Sequence, residues 1–465
     1  MTAGDPAREE PAAPVPATTA PAATAPAAVP LLAPRDGLPP LIVTAGQLVR
    51  AERALAAGRG PVAVDAERAS GFRYGHRAFL VQLRREGAGT VLIDPVACPD
   101  LSGVNRALAG AEAVLHAASQ DLPCLAELGF RPAELFDTEL AGRLLGYPRV
   151  GLGTLVETVL GLSLEKSHSA ADWSTRPLPE DWLRYAALDV EVLVELRDAL
   201  ARQLTEQGKL DWARQEFAAV LAAGPPPPRA EPWRRTSGIH RVRSRRGLAV
   251  VRALWQERDR IARQRDVSPT RVLADAAIIE AARTPPKDAA ALTSISGFTG
   301  RGARRHAGEW LRAISRARAA ADADLPESSA PAGDGPPPAH RWAERDPEAA
   351  RRLTAARVAV STLAEKHNLP AENLLLPDTV RRLAWQPPDP LSPGTVGDAL
   401  ASCGARPWQI SLTAEALAGA LAPEAEDSAA GSGPSSGSGP SSEPGLSSGP
   451  RPSSGPRPSS STAAE

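Results

Sequence analysis

Three cysteines, no long apolar run and almost no net charge limit what this 465-residue chain can be. Cys98, Cys124 and Cys403 are far apart and form no CxxC pair, which argues against a zinc ribbon or a disulfide framework and favours a reducing compartment. No apolar run reaches the roughly 18 to 20 residues that a membrane span needs. The N-terminus lacks a basic start followed by an apolar core, so we expect no signal peptide, no membrane contact and a cytoplasmic protein. The net charge of −1 indicates no overall attraction to nucleic acid, although a local basic patch can still provide it.

The remaining composition predicts several domains between two disordered ends. Ala, Pro and Thr dominate the N-terminal segment, and Ser, Gly and Pro dominate the C-terminal one, so neither can build a core. The boundaries that we predict are a disordered segment 1–36, an α/β domain 38–222, a Pro-rich linker 223–235, a first helical domain 236–320, a linker 321–345, a second helical domain 346–422 and a disordered tail 423–465.

Within the α/β domain, short apolar strands alternate with helical stretches, as in folds that pack helices on a sheet. The segments AFLVQLR and TVLIDP are separated only by Glu86-Gly87-Ala88-Gly89, which predicts a hairpin. The later strand AVLHA lies between helical stretches, as a crossover unit requires.

The two helical domains share an internal repeat, RQRDVSPTRVLADAAIIEAARTPP and EKHNLPAENLLLPDTVRRLAWQPP. A fixed offset over such a run indicates a duplicated module. The aligned pairs are Val267 with Leu369, Leu273 with Leu375, Ile278 with Val380, and Pro285-Pro286 with Pro387-Pro388.

Four acidic residues lie in three separated motifs of the α/β domain. Asp65 and Glu67 end the strand in PVAVDAERAS, Asp121 follows a strand in LHAASQDLPCL, and Asp189 follows Tyr185 by one helical turn in YAALDVEVLVEL. An isolated buried carboxylate is too costly to keep ionised unless it is paired or bound to metal. If the four converge, about four positive charges are needed, which two divalent cations supply. The motifs therefore point to a two-metal site that cleaves phosphodiesters.

Each motif also has an ordinary structural interpretation. Asp65 and Glu67 can be a solvated strand terminus, and Asp121 can be a helix N-cap or first-turn acid. Tyr185 can be a half-buried residue that closes a core. Its unperturbed pKa of about 10 makes it a poor free base, so the metal must do most of the work of deprotonating water.

In their order and contexts, the motifs VAVDAE, HAASQDL and YAALDV resemble those of the DEDD exonucleases, tyrosine subclass, and within it ribonuclease D. KSHSAADWSTRPLPEDWLRYAALDVEVL also resembles the loop and helix of ribonuclease D in particular. The resemblance implies a ribonuclease-H-like fold, with a mixed sheet flanked by helices, and two Mg²⁺ or Mn²⁺ ions. It further implies 3′-to-5′ hydrolysis of RNA that releases nucleoside 5′-monophosphates.

By motif position, the resemblance makes Asp65, Glu67, Asp121 and Asp189 the metal ligands, and Tyr185 the residue that positions the attacking water. This chain departs from the family at Ala66 and Arg68, where threonine and an aromatic residue are usual. Neither departure removes a ligand.

The two helical domains resemble HRDC domains, which are accessory nucleic-acid-binding modules. The first is the better match and is basic at its entry, which suits phosphate contacts that do not read sequence. The second lacks the GFTGRGARR segment, so a structural role is expected for it. Candidate nucleic-acid contacts are Lys166 and Arg176 near the third motif, and Arg241, Arg243, Arg245 and Arg246 at the entry; a solvated charged face is the alternative.

Three further features of the sequence have open interpretations. His116 is expected to be a packed or hydrogen-bonded histidine rather than a ligand. The loop with His168, Asp172 and Trp173 either packs on itself or gates the substrate. Asp137 either supports the site from behind or only begins a helix.

The function that we expect is a metal-dependent 3′-to-5′ exoribonuclease that trims tRNA precursors and other structured RNAs. Two alternatives stay open: a DNA exonuclease with the same carboxylates, since nothing visibly reads a 2′-hydroxyl, and a non-catalytic RNA-binding scaffold.

Overall fold

The computed structural model describes residues 28–165, 168, 170–224, 229–329 and 335–423. Most of the two segments predicted to be disordered lies outside these residues. The part of the first segment that is described contradicts the prediction, because Val29–Leu31 forms a strand that pairs in parallel with Leu162–Leu164. Backbone pairing can hold even a Pro-rich segment at the edge of a domain.

Among the described residues, the α/β domain contains all eight strands and the first eight α-helices. The strands are β1 Val29–Leu31, β2 Leu41–Ile42, β3 Arg59–Arg68, β4 Ala78–Glu86, β5 Gly89–Ile93, β6 Glu112–Leu115, β7 Glu134–Asp137 and β8 Leu162–Leu164. The helices are α1 Ala45–Ala57, α2 Ser102–Ala107, α3 Leu122–Glu127, α4 Thr138–Leu144, α5 Leu152–Leu160, α6 Glu180–Glu191, α7 Leu193–Glu206 and α8 Leu210–Ala222.

A mixed six-stranded sheet forms the centre of this domain, in the order β2-β5-β4-β3-β6-β7. The predicted hairpin is confirmed: β4 and β5 pair antiparallel, with Arg85 opposite Gly89. The predicted crossover is also present, since β6 pairs in parallel with both β3 and β7. The expected α/β fold with a mixed sheet and flanking helices is therefore confirmed.

The middle of the central strand β3 (residues 62–64) and the first part of β4 (residues 78–83) are buried, and apart from Gln82 they carry only apolar residues. Val62, Val64, Leu80 and Leu83 are at most 1% exposed. Such nearly continuous apolar strands are typical of sheets covered on both faces. Polar residues within them, such as Asp65 and Gln82, are therefore conspicuous.

Two helical domains follow, as expected. The first contains α9 Arg245–Arg265, α10 Pro269–Val272, α11 Asp275–Arg283, α12 Ala289–Ser294, α13 Arg301–Arg305 and α14 Ala307–Ala319. The second contains α15 Trp342–Arg345, α16 Pro347–Lys366, α17 Ala371–Leu374, α18 Pro377–Trp385, α19 Pro393–Ser402 and α20 Pro407–Leu421.

The sequence repeat corresponds to a structural repeat. The ends of α9 and α16, and the whole of α10 and α17, follow the offset of the sequence alignment to within one residue. Asp266 and Asn368, which follow the two long helices, also share the left-handed backbone with φ 47°. Asp and Asn are the non-glycine residues that most readily adopt it.

Both predicted linkers are too long, because each contains a tryptophan that belongs to a helical core. Trp233 is 3% exposed within the first helical domain. Trp342 is fully buried, packs on Trp385 with ring centroids 4.8 Å apart, and donates from Nε1 to the Pro337 carbonyl at 2.7 Å. Burying an aromatic side chain of this size stabilises the fold, even in a segment rich in proline.

The second helical domain shares one continuous hydrophobic core with the α/β domain. Trp212 and Trp408 stack at 4.9 Å, and Glu216 accepts hydrogen bonds from Trp408 Nε1 at 2.9 Å and from Arg406 at 2.7 Å. The first helical domain instead has a core of its own. This packing agrees with the structural role expected for the second domain.

In the described part of the chain, no helix is long and apolar enough to cross a membrane.

Candidate active site

The first two acids end β3 on the same side of the strand, as the two-residue period predicts. Asp65 lies opposite Gln82 of β4, and Gln82 donates from Nε2 to Asp65 Oδ2 at 2.9 Å. Gln82 is fully buried, and its Oε1 has no hydrogen-bond partner among the described residues. Gln82 was missed by the sequence reasoning, although an amide in the middle of the apolar run AFLVQLR was a usable signal.

Helix α6 brings the third motif to the same place. It begins after Pro179 with Glu180 and Asp181 in its first turn, which suits the helix dipole. Ala186, Ala187 and Val190 are fully buried and pack the helix on the sheet. Carboxylate oxygens of Asp65, Glu67 and Asp189 consequently lie within 4.8 Å of one another.

The second motif reaches the site through a tight turn after β6. Asp121 is 6% exposed and occupies the N-cap position of α3, but its side chain makes no capping hydrogen bond. The capping interpretation therefore does not explain this residue. Burial and then the charge of Asp65 raise the pKa of Asp121, and Asp121 adds to the burial and the other charges that raise the pKa of Glu67, so the Asp121 carboxylate is close enough to interact with the other acids.

Asp137 holds the turn that leads to Asp121. Its carboxylate accepts from the amides of Ala117 at 3.1 Å and Ala118 at 2.8 Å, and from those of Glu139 and Leu140 at the start of α4. Ala117 has the left-handed φ of 57°, which costs energy for a residue with a Cβ. Both interpretations of Asp137 therefore apply, since it begins a helix and supports the site.

His116 is a half-buried, hydrogen-bonded histidine, as expected. Its Nδ1 lies 2.9 Å from the Thr138 hydroxyl, which itself donates to the Leu115 carbonyl at 3.2 Å. Burial lowers the pKa of His116 to about 4. A neutral ring with Nδ1 protonated fits this arrangement.

Burial raises the pKa of all four acids, and neighbouring carboxylates raise it further for Glu67, Asp121 and Asp189. Burial, followed by the charges of Asp65, Asp189 and Asp121, raises the pKa of Glu67 to about 10. Burial and then Asp65 raise the pKa of Asp121 to about 8, and that of Asp189 well above its ordinary value. Burial also raises the pKa of Asp65.

Within the part of the chain that the structure describes, one positive side chain lies against these acids. Arg68 Nη2 is 3.3 Å from Asp121 Oδ1. One guanidinium cannot neutralise four carboxylates, and a carboxylate cluster without enough counter-charge is costly. Oxygen ligands of this kind suit Mg²⁺ and Mn²⁺. The residues present therefore fit divalent cations.

Tyr185 lies beside the acids on α6. Burial, then the charges of Asp189 and Glu67, raises the pKa of its hydroxyl above the ordinary value. The hydroxyl consequently stays protonated at neutral pH and can donate a hydrogen bond, but it cannot act as a base.

The loop before α6 packs on itself and on this tyrosine. Trp173 is fully buried against Trp182 and Tyr185, with ring centroids 5.3 and 6.4 Å apart. His168 meets the Tyr185 ring edge-on at 6.1 Å, and Asp172 accepts from the hydroxyl of Ser174. The self-packed interpretation of this loop is the one that the structure favours.

The donors of Arg176, a predicted phosphate contact, have partners within the protein. Its guanidinium donates to both oxygens of Asp94 and to the carbonyls of Phe79, Trp173 and Thr175, all at 2.7 to 2.8 Å. Arginine has five N–H donors, and these contacts use all of them. Arg176 therefore holds the loop on the sheet. The sequence alone does not show this role, because its partners Asp94 and Phe79 lie far away in the chain.

The other candidate nucleic-acid contacts fall into three groups. Arg245 donates to the carbonyls of Pro326 and Leu325, and Arg246 to those of Arg318 and Ala320, all within the first helical domain. Their phosphate contacts stay a prediction. Arg241 and Arg243 are exposed. Lys166 lies outside the described residues.

Three segments of the chain match models of known families. Residues 41–205 match "3'-5' exonuclease", residues 247–314 match "HRDC domain", and residues 335–421 match "3' to 5' exonuclease C-terminal domain". The class of protein is therefore a 3′-5′ exonuclease with an HRDC domain. We predicted a second HRDC-like domain, but the second helical domain matches the exonuclease C-terminal model instead.

Relatives and solved structures narrow the class. The chain is 33% identical over 336 residues to "Ribonuclease D" of Gluconacetobacter diazotrophicus, covering 70% of this chain and 81% of that relative. Its fold is similar to that of a protein from Bifidobacterium adolescentis, with TM-score 0.78, 41% identity and coverage of 85% of this chain and 99% of that one. It is also similar to Escherichia coli RNase D, "an exoribonuclease involved in structured RNA processing", with TM-score 0.60, 26% identity and coverage of 82% and 98%. The chain belongs to the ribonuclease D family.

Proposed function

We propose that this protein is a metal-dependent 3′-to-5′ exoribonuclease that trims the 3′ ends of tRNA precursors and other structured RNAs. The observation that carries the proposal is the convergence of Asp65, Glu67 and Asp189 within 4.8 Å, next to Asp121 and Tyr185, in a chain of the ribonuclease D family. The cytoplasm stays the predicted location.

Asp65, Glu67, Asp121 and Asp189 would hold two Mg²⁺ or Mn²⁺ ions. Such ions supply the charge that stabilises the transition state and make water nucleophilic near neutral pH. Gln82 keeps Asp65 in one orientation, and Asp137 keeps the turn that carries Asp121. This support matters because small displacements of catalytic groups are costly.

The protonated hydroxyl of Tyr185 would orient the attacking water by a hydrogen bond. Hydrolysis adds that water across the terminal phosphodiester, so that the P–O3′ bond breaks and a nucleoside 5′-monophosphate leaves. The shortened RNA retains a 3′-hydroxyl, which prepares it for the next cycle.

The HRDC domain would hold the body of the RNA through non-specific phosphate contacts. Arg241 and Arg243 are its best candidates, because both are exposed at the entry of the domain. Lys166 remains a candidate from sequence alone.

The test is to give the purified protein 3′-extended tRNA and a DNA of matched sequence, with Mg²⁺ or Mn²⁺. We expect stepwise shortening of the RNA and release of nucleoside 5′-monophosphates. Preference for DNA would support the DNA exonuclease instead. RNA binding without hydrolysis in either metal would support the scaffold.

A further inference from the structure

The two helical domains contact the α/β domain through equivalent turns. Asp266 follows α9 and Asn368 follows α16, and each is the left-handed residue after the long helix of its repeat. Asp266 contacts the segment directly after β3, the strand that carries Asp65 and Glu67. Asn368 contacts the end of α4. We call residues 266–271 the docking turn, and we call residues 69–77 the site loop.

Side-chain charge connects the docking turn to the site loop. The Asp266 carboxylate accepts from the Tyr74 amide at 3.4 Å and lies 3.4 Å from Arg77 and 3.7 Å from Arg73. The Tyr74 hydroxyl donates to Asp259 of α9 at 2.9 Å. The Asp266 carboxylate thus contacts the backbone of the site loop and two of its arginines.

Backbone contacts and a ring contact join the same two segments. The Ser268 amide donates to the Phe72 carbonyl at 2.9 Å, and Arg271 Nε donates to the Gly71 carbonyl at 2.9 Å. The Arg271 guanidinium also lies over the Phe72 ring, 4.2 Å from its centroid. Cation–π contacts of this kind add to the attachment.

From the site loop, contacts continue to the catalytic tyrosine. Arg73 Nε donates to the Ser174 hydroxyl at 2.8 Å, and Ser174 is adjacent to Trp173, which packs on Tyr185. Phe72 packs against the same hydrophobic cluster as Tyr185. Arg73 therefore faces Asp266 on one side and the loop before α6 on the other.

We propose that the docking turn of the HRDC domain positions the catalytic residues through Arg73, so that this domain contributes to the chemical step as well as to RNA binding. Asp266 and Arg73 are positioning residues: neither is expected to touch the substrate. Without Asp266, the site loop loses its charged anchor, and the end of β3 and the Tyr185 ring gain freedom. This inference rests on the proposed exonuclease function.

Asn368 provides a matched control. Its side chain donates to the Leu145 carbonyl at 3.2 Å, and its own carbonyl accepts from Lys209 Nζ at 3.3 Å. Leu145 is the C-cap of α4, whereas Asp137, which supports the site, is its N-cap. The second docking contact is thus made at the far end of that helix.

The experiment compares Asp266→Gly with Asn368→Gly. Both substitutions remove a docking side chain, and glycine accepts the left-handed backbone at both positions. kcat and KM are measured with Mn²⁺ on a 5′-phosphorylated RNA dinucleotide and on 3′-extended tRNA. The dinucleotide has a single internucleotide bond, so the whole substrate sits at the cleavage site.

We expect Asp266→Gly to lower kcat by about 10-fold on both substrates, since misplaced catalytic groups cost this much or more. KM for the dinucleotide should stay unchanged, and Asn368→Gly should keep wild-type kcat. Asp266→Asn, which retains an acceptor for the Tyr74 amide, should restore part of kcat.

Two results would overturn the inference. Wild-type kcat in Asp266→Gly, with only KM for tRNA raised, would mean that the HRDC domain serves RNA binding alone. An equal loss of kcat in both glycine variants would mean general destabilisation. Inactivity of the wild-type protein would instead refute the proposed function.

Discussion

Replacing Asp137 with alanine tests whether a buried carboxylate behind the site holds the second motif. Asp137 is 2% exposed and accepts four backbone N–H groups, two at the start of α4 and two in the turn at Ala117 and Ala118. Alanine offers no acceptor, so these donors lose their partner. Without these hydrogen bonds, nothing offsets the cost of the left-handed backbone at Ala117, and we expect the turn to change its conformation.

The size of the effect follows from these contacts. Loss of the N-cap alone costs about 1 kcal/mol. Each buried amide of the turn left without an acceptor adds about 1 to 3 kcal/mol. Burial raises the pKa of Asp137, so removing the carboxylate offsets part of this loss. We expect the free energy of unfolding to fall by about 3 kcal/mol, with a smaller loss for Asp137→Asn, which keeps one acceptor oxygen.

Urea denaturation followed by circular dichroism measures this loss, and Asp346→Ala is its control. Asp346 is also an N-cap aspartate, but within the described ranges its side chain accepts only the Ala349 amide, at 2.9 Å. Helix α16, which it begins, shares the hydrophobic core of the α/β domain. We expect about 1 kcal/mol for this variant. If Asp137→Ala costs no more than Asp346→Ala, the turn does not depend on Asp137 and our reasoning is refuted.

Three further predictions concern the acids themselves. The pKa values of Glu67, about 10, and Asp121, about 8, lie above those of an unfolded chain, so bound protons stabilise the fold and stability is lost as pH rises through these values. The melting temperature of metal-free protein should therefore fall from pH 7 to pH 10 and recover with Mn²⁺; a constant value would contradict this. Gln82→Leu should weaken Mn²⁺ binding, measured by calorimetry, about 10-fold by releasing Asp65, and unchanged affinity would exclude this orienting role. Asp65→Ala and Asp189→Ala should each abolish hydrolysis while the circular dichroism spectrum stays that of a folded protein; substantial activity in either would refute the metal-site assignment.

Much of the fold was predictable because its signals are local. The hairpin between β4 and β5, the start of α6 after Pro179 and the helical repeat all follow from residues close together in sequence. The linkers were predicted too long because proline and glycine obscured Trp233 and Trp342, whose burial depends on distant partners. Composition reports what a segment contains, and not what it packs against.

The site shows the same division. The four acids stood out because burying an unpaired carboxylate in an apolar segment is costly, and Tyr185 stood out because it lies one helical turn before Asp189. Arg176 was assigned to RNA because an arginine near a motif is a plausible phosphate contact. Only the fold shows that its five donors are used by Asp94 and three carbonyls.

The sequence by itself determined which acids are candidates for the site, in which order they occur and on which kinds of element they lie. It could do so because strand and helix periods are short-range properties that place Asp65 beside Glu67, and Tyr185 beside Asp189. The tertiary structure alone decided that Gln82 faces Asp65, and that Asp266 anchors the loop after β3. Those contacts depend on strand register and domain docking, which join residues far apart in the chain and are set by packing of the whole molecule.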